Sequence, residues 1–199
     1  LPSLQHLILV GDHQQLKGQC ADYELCGHPF YLDVSMFERL MINKMPYAML
    51  QEQRRMVPEI RKLVAPIYGN LLHDHPSVGD HPFVPGMGDK RSFFFDHTAH
   101  ESNDSLLSKV NDFEASMVVN LLAYLVMNKV PAASITVLTF YNGQRKLIMR
   151  KKSQNPNVAK SYVNIVTVDS YQGEENDIII LSLVRSNDHR GIGFLAQDN

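Results

Sequence analysis

Several things are scarce in this 199-residue chain. Two cysteines, Cys20 and Cys26, are too few for a disulfide framework, and a reducing, intracellular compartment (cytoplasmic or nuclear) is the default expectation. No apolar run approaches the ~20 residues that a membrane span requires, so no membrane partner is expected. The N-terminal stretch lacks the basic region, long apolar core and small-residue cleavage site of a secretory signal. A basic surplus is missing too: 19 Lys and Arg stand against 21 Asp and Glu, a formal charge of −2. Domains that grip nucleic acid mainly by charge carry such a surplus, so any contact of that kind must rest on a local patch or on residues outside this chain. Repeats and low-complexity tracts are also absent. What remains is 44% apolar and 20% charged, the balance of a globular protein with room for one domain, or one domain and part of another.

Short apolar runs alternate with longer stretches of helical period, which predicts an α/β fold with a mostly parallel sheet flanked by helices. Strands are expected at 4–10, 47–50, 92–95, 134–140, 163–168 and 177–184. Several are near-continuous Val, Ile and Leu, the mark of strands covered on both faces. Helices are expected at 35–41, 58–68, 111–128 and 142–152. In the third helix Phe113, Met117, Val118, Leu121, Leu122 and Leu125 fall at helical spacing, and Asn111 with Glu114 forms a capping pair. Residues 72–89, rich in His, Pro, Gly and Asp, read as a surface loop. A break near 42–46 predicts a domain boundary, giving units 1–45 and 46–199.

Ligands of parallel α/β sheets bind outside the carboxyl ends of the strands. Three clusters of polar residues sit at such ends. "LILVGDHQQL" places Gly11, Asp12, Gln14 and Gln15 after an apolar run. "LQEQRRM" places Gln53, Arg54 and Arg55 after the run at 47–50. "TVDSYQGEENDIIILSLVRSN" places Gln172, Gly173 and Glu175 between two β-rich runs. Each alone has an ordinary reading: a Gly-Asp turn, a solvated pair of arginines, a hairpin loop with Gly at positive φ.

Together, in this order, the three resemble superfamily 1 helicases of the nonsense-mediated-decay branch. There "GDHQQL" corresponds to motif III, "QRRM" to motif IV and "VDSYQGEE" to motif V. "SMFERL", "PEIRKL", "NDFEASMV", "LTFYNGQ", "IILSLVRSN" and "GIGFL" agree with it. Within the branch the chain is most similar to the helicase of the large proteins with NF-X-type zinc fingers. The resemblance spans nearly the whole chain. It implies a RecA-like P-loop NTPase fold: the last strand and helix of a first motor domain over 1–45, then a second motor domain over 46–199.

The resemblance also implies roles. Phosphoryl transfer needs positioning, a metal and cations where negative charge builds up. Gln15 would reach the γ-phosphate and its water, with Gly11 and Asp12 shaping the loop. Arg55 would be the cation on the γ-phosphate, a task suited to a planar guanidinium. Glu175 would accept from the ribose, Gly173 would let the backbone come close, and Gln53 would orient Arg55. Thr139, Tyr141, Asn142, Thr167 and Ser170 would face single-stranded RNA or DNA. Two positions depart from the pattern: Arg54 replaces a Tyr, and Glu174 stands where a cation is common. Arg145, Lys146, Arg150, Lys151 and Lys152 offer either a basic patch for nucleic acid or a solvated helix face.

ATP and Mg2+ are the implied cofactors, and the remainder of the helicase, including its first RecA-like domain and a possible zinc-finger region, the implied partner. The chain has no Gly-x-x-x-x-Gly-Lys-Ser/Thr loop for phosphates and no Asp-Glu pair for Mg2+. The expectation is therefore a fragment that does not hydrolyse ATP by itself, with the metal ligands elsewhere. A non-catalytic helicase-like scaffold is the alternative. A dehydrogenase would require Gly-x-Gly-x-x-Gly, which is absent. Neither His73, His75 and His81 nor Cys20, Cys26 and His28 have the spacing of a standard zinc site.

Overall fold

The computed structural model describes residues 3, 5–17 and 20–193; Leu4, and the Phe194 and Leu195 of "GIGFL", lie outside them. Five helices are present among these: α1 (Met36–Ile42), α2 (Pro58–Arg61), α3 (Ala65–Tyr68), α4 (Asp112–Met127) and α5 (Asn142–Gln154). The strands are β1 (Glu52–Gln53), β2 (His73–Asp74), β3 (Ser102–Asn103), β4 (Lys109–Val110), β5 (Ile135–Thr139), β6 (Asn164–Thr167) and β7 (Ile178–Ser182). The described residues fall into two units. One holds those up to Gln53 and Val64–His75; the other holds Arg54–Leu63 and the chain from Pro76 onward.

In the first unit α1 starts where the Ser35 hydroxyl accepts the Glu38 N–H at 3.0 Å, a side-chain cap for an orphan donor. β1 and β2 make a two-residue parallel ladder, Glu52 opposite His73. The strand expected at 4–10 does not form: residues 5–10 have no regular structure, and Val10 is 94% exposed. No strand among the described residues pairs with them, so their backbone groups have no ladder to join. The same holds for 47–50, where Leu50 is 91% exposed and β1 begins two residues later. The single helix expected at 58–68 does not form: α3 belongs to this unit, α2 to the other, and a 3-10 turn over Lys62–Val64 lies between them in sequence. Pro66 explains the break, because it has no N–H to give and its ring clashes with the carbonyl four residues back.

The second unit is built on the parallel sheet β6-β5-β7. All five residues of the central β5 are buried, Thr136 and Thr139 along with Ile135, Val137 and Leu138, as befits a strand covered on both faces. β7 differs from expectation. Ile178–Ser182 is an edge strand whose Ile179 and Leu181 remain exposed, because only one face is covered. The run at 92–95 is irregular, with Phe93 and Phe94 exposed. The loop expected at 72–89 is partly ordered: β2 lies in it, and so does a 3-10 turn, Pro76–Asp80, that buries Val78.

Helix α4 begins as predicted, with the Asn111 side chain accepting the Glu114 N–H at 3.0 Å. Its buried stripe is Ala115, Val118, Val119, Leu122, Ala123 and Leu125. Phe113 is not part of it; this ring stays half exposed beside Phe95 and His97. α4 packs on α5 and β7, and α5 on β5 and β6. Leu122, Ile135, Val137, Ile148 and Val158 fill the space between. Each aliphatic side chain fully removed from water there contributes about 1.5–3 kcal/mol.

Two consequences of this sheet bear on function. β6 and β7 lie on either side of β5 and parallel to it, so the segment 168–177 is a crossover and not a hairpin loop. At the carboxyl ends, Thr139 is in register with both Thr167 and Ser182. Three hydroxyl side chains thus end three adjacent strands.

Candidate functional site

The motif III loop is a compact turn centred on Asp12. Its carboxylate accepts from the Gln14 N–H at 3.0 Å, from the Gln15 amide at 2.8 Å and from the Tyr68 hydroxyl at 2.7 Å. Partial burial pushes the Asp12 carboxyl up, but the bonds from Tyr68, Gln14 and Gln15, with the field of His13, outweigh it and hold the group below its ordinary value. Burial and the Asp12 carboxylate raise Tyr68 to about 12, so this phenol stays a donor. Gln15 is exposed, its amide tethered to Asp12. Gly11 is exposed also, and a Cβ there would press on the Phe37 ring at 3.2 Å. Gln53 is buried and donates to Asp74 at 2.6 Å across the β1–β2 ladder, a partner that nothing in "LQEQRRM" announced.

Arg55 of motif IV and Glu175 of motif V meet in the second unit. The Arg55 guanidinium donates from Nε to the Glu175 carboxylate at 2.5 Å, although 120 residues separate them. Both side chains are well exposed, 60% and 64%. Exposed pairs of this kind contribute little on their own, on the order of 0–1 kcal/mol. Gly173, with φ +84 and open space where a Cβ would stand, lets the chain turn just before Glu175.

The five residues matched to a nucleic-acid role all lie at the carboxyl ends of β5 and β6, but not all at the surface. Asn142 is exposed at the start of α5, and Ser170 is exposed and bonded to Thr167 at 2.9 Å. Thr139 is fully buried and Tyr141 is only 6% exposed. Neither offers a face on which a base could stack; they shape the loop from beneath.

The sequence reading missed a buried polar frame that joins the lesser landmarks. The Gln144 side chain accepts the Asn111 N–H at 2.8 Å and donates to the Asn111 carbonyl and the Ser182 hydroxyl at 3.2 and 3.0 Å. Glu114 accepts the N–H groups of Leu183 and Val184 at 2.7 and 2.8 Å. Glu101 accepts from Arg185 Nε, the Ser186 N–H, Asn187 and Lys109. Burial raises the Glu101 carboxyl, but these donors overcome it and bring the group down to about 2. "NDFEASMV", "YNGQ" and "LSLVRSN" are therefore three parts of one hydrogen-bonded unit. The available signal was their shared polar content beside strand ends; their partners, 33 to 86 residues apart, could not be paired from one sequence.

Comparison with known proteins follows the same lines. Residues 32–199 match the family model AAA_12, described as an AAA domain. The chain belongs to the AAA_12 family. It is a P-loop NTPase domain of the superfamily 1 helicase type, as its motifs indicated. It is 49% identical over 195 residues to "Helicase required for RNAi-mediated heterochromatin assembly 1" of Schizosaccharomyces pombe, covering 98% of this chain and 19% of that protein. Identity to the human "NFX1-type zinc finger-containing protein 1" is 42% over 200 residues, 98% of this chain and 10% of the relative. A "Regulator of nonsense transcripts 1 homolog" of Arabidopsis thaliana is 33% identical over 207 residues, 96% of this chain and 16% of the relative. The chain thus spans a fifth or less of these relatives' length.

Two further features of this AAA_12 chain bear on ligands. Its basic helix α5 is largely committed to the fold. Arg145 donates to the Ile165 carbonyl at 3.0 Å, Lys151 pairs with Asp112 at 2.8 Å, and Lys152 is buried with its ammonium on the Ser161 carbonyl at 2.6 Å. Burial lowers the Lys152 pKa. Among the described residues no group of three or more His, Cys, Asp or Glu side chains could hold a metal ion. No helix of the described residues is long and apolar enough to cross a membrane.

Proposed function

We propose that this chain is part of an ATP-dependent superfamily 1 helicase that moves on single-stranded nucleic acid, RNA above all. It carries the end of a first motor domain, 1–45, and the body of a second, 46–199. The observation that supports this best is the contact between Arg55 and Glu175. One belongs to motif IV and one to motif V, and both motifs serve the nucleotide in the family. In this reading Arg55 leaves Glu175 for the γ-phosphate, and Glu175 turns to the ribose. Gln15, held by Asp12, distinguishes ATP from ADP, while Gln53 on Asp74 fixes the approach of the chain to Arg55. Gly11 and Gly173 give the backbone room at the two loops. Asn142, Thr167 and Ser170 touch the strand of nucleic acid, with Thr139 and Tyr141 supporting them. Mg2+ is held by residues outside this chain, as are the phosphate-binding loop and the zinc-finger region. The compartment is intracellular, cytoplasmic or nuclear.

The test is ATP turnover by the full-length protein with and without oligouridylate or oligothymidylate. The proposal expects turnover that rises with single-stranded nucleic acid, more with RNA, and none by the isolated 199 residues above an Arg55→Ala control. A full-length protein that binds oligonucleotide but hydrolyses no ATP would be a helicase-shaped scaffold, and the motor reading would fall.

A further inference from the structure

The segment that follows β7 is held in an unusual way. The Arg185 N–H donates to the Leu183 carbonyl at 2.8 Å, closing a three-residue turn on Val184, whose φ is +71. That is the strained form of the γ-turn, made here by a β-branched residue for which positive φ is an outlier. Such strain costs about 1–3 kcal/mol and persists only where the surroundings over-determine it. They do so here. Glu114 grips the N–H groups on both sides of the turn's first bond, Leu183 and Val184, and the buried Val184 carbonyl accepts from Asn111 at 3.4 Å.

The turn aims Arg185 at the loop after β5. Its Nε donates to Glu101 at 2.8 Å and its Nη1 to the Tyr141 hydroxyl at 3.4 Å. Glu101 in turn holds the Ser186 N–H at 2.9 Å and the Asn187 amide at 3.2 Å. Asn187 closes the loop beyond by donating to the Gly191 carbonyl at 2.8 Å and accepting its N–H at 3.0 Å. Gly193, at φ +56, lies against the guanidinium; a Cβ there would run into Arg185. Tyr141 immediately precedes α5 and Asn142. One arginine thus joins the chain leaving β7 to the loop leaving β5.

We infer that Arg185 is a positioning residue for nucleic acid: fixed by Glu101 and the γ-turn at Val184, it sets the Tyr141–Asn142 loop in the form that receives the strand. The inference rests on the functional reading above and adds a third strand end to it. Arg185 itself touches no nucleic acid. Its guanidinium is almost covered by Glu101, Tyr141 and Gly193, so its effect passes through the loop it holds.

The experiment uses the full-length protein and three variants. Arg185→Lys keeps the charge but not the two-sided reach, Glu101→Gln keeps an acceptor but loses the charge, and Tyr141→Phe keeps the ring but loses the hydroxyl. ATP turnover is followed against oligouridylate concentration, and amide exchange is followed over 140–146. For Arg185→Lys and Glu101→Gln the expected result is turnover without nucleic acid close to wild type, a half-saturating oligouridylate concentration raised about fivefold or more, and faster exchange over 140–146. Tyr141→Phe raises half-saturation in the same direction. Variants that lower stimulated and unstimulated turnover by one common factor, with half-saturation unchanged, overturn the inference and leave a purely structural frame. Exchange over 140–146 at the wild-type rate in Arg185→Lys overturns it as well. A wild-type protein whose turnover ignores oligouridylate and oligothymidylate refutes the functional reading itself, which the variants' behaviour cannot do.

Discussion

Replacing Glu101 by Gln isolates the charge at the centre of the buried frame. The side chain is 7% exposed and faces Arg185 and Lys109, with further donors from Ser186 and Asn187. Gln resembles the protonated acid in shape and charge, so the cost of the substitution approximates the cost of protonation. The carboxyl stands at about 2 in the fold against an ordinary 4.5, and at ~1.4 kcal/mol per unit this amounts to about 3 kcal/mol. The sign follows from the direction. The folded-state pKa is depressed, so the contribution is complete above pH 4.5 and is lost as the pH falls from 4.5 towards 2. Urea unfolding of wild type and Glu101→Gln, followed by circular dichroism between pH 7 and pH 2.5, reads the gap directly. It should be about 3 kcal/mol at pH 7 and shrink steadily below pH 4.5. A gap under ~1 kcal/mol at pH 7, or one that does not change with pH, would refute the reasoning.

Gln144→Ala removes three hydrogen bonds in a fully buried setting and should cost about 3–5 kcal/mol in urea unfolding, since it leaves polar groups of Asn111 and Ser182 unmet as well as a void. Tyr68→Phe deletes the donor to Asp12; a loss of about 1 kcal/mol is expected at neutral pH, together with an upward move of the Asp12 titration seen by NMR. Gly193→Ala should speed amide exchange over 185–193, as the added methyl displaces Arg185, whereas Gly79→Ala, where a Cβ meets open space, should not.

The fold was legible where one strand could be judged on its own composition. β5, with Ile135, Val137 and Leu138 buried beside two threonines, was placed within a residue or two, and Asn111 marked the start of α4 through a local cap. Residues 5–10 and 47–50 misled because their apolar runs have the composition of strands but no pairing strand among the described residues. β7 misled differently, since its run of Ile and Leu does not reveal that it is an edge. Pro66 could have split the expected helix at 58–68 from sequence alone. The site was legible as far as its motifs are local: Asp12 and Gln15 are three residues apart and do touch. The frame of Glu101, Asn111, Gln144, Ser182 and Arg185 was not legible, because buried polar groups find partners by topology and not by spacing. The same applies to Thr139 and Tyr141, whose burial follows from the sheet and helix packed over them.

The central claim is that Gln15 and Arg55 act on ATP. Its most direct measurement is steady-state ATP turnover by full-length Gln15→Ala and Arg55→Ala proteins, beside their affinity for oligouridylate. Each variant should lose about a hundredfold or more in turnover, as removal of a group that stabilises the transferring phosphoryl does, while affinity for the strand stays within about threefold of wild type. Wild-type turnover in both variants would contradict the account.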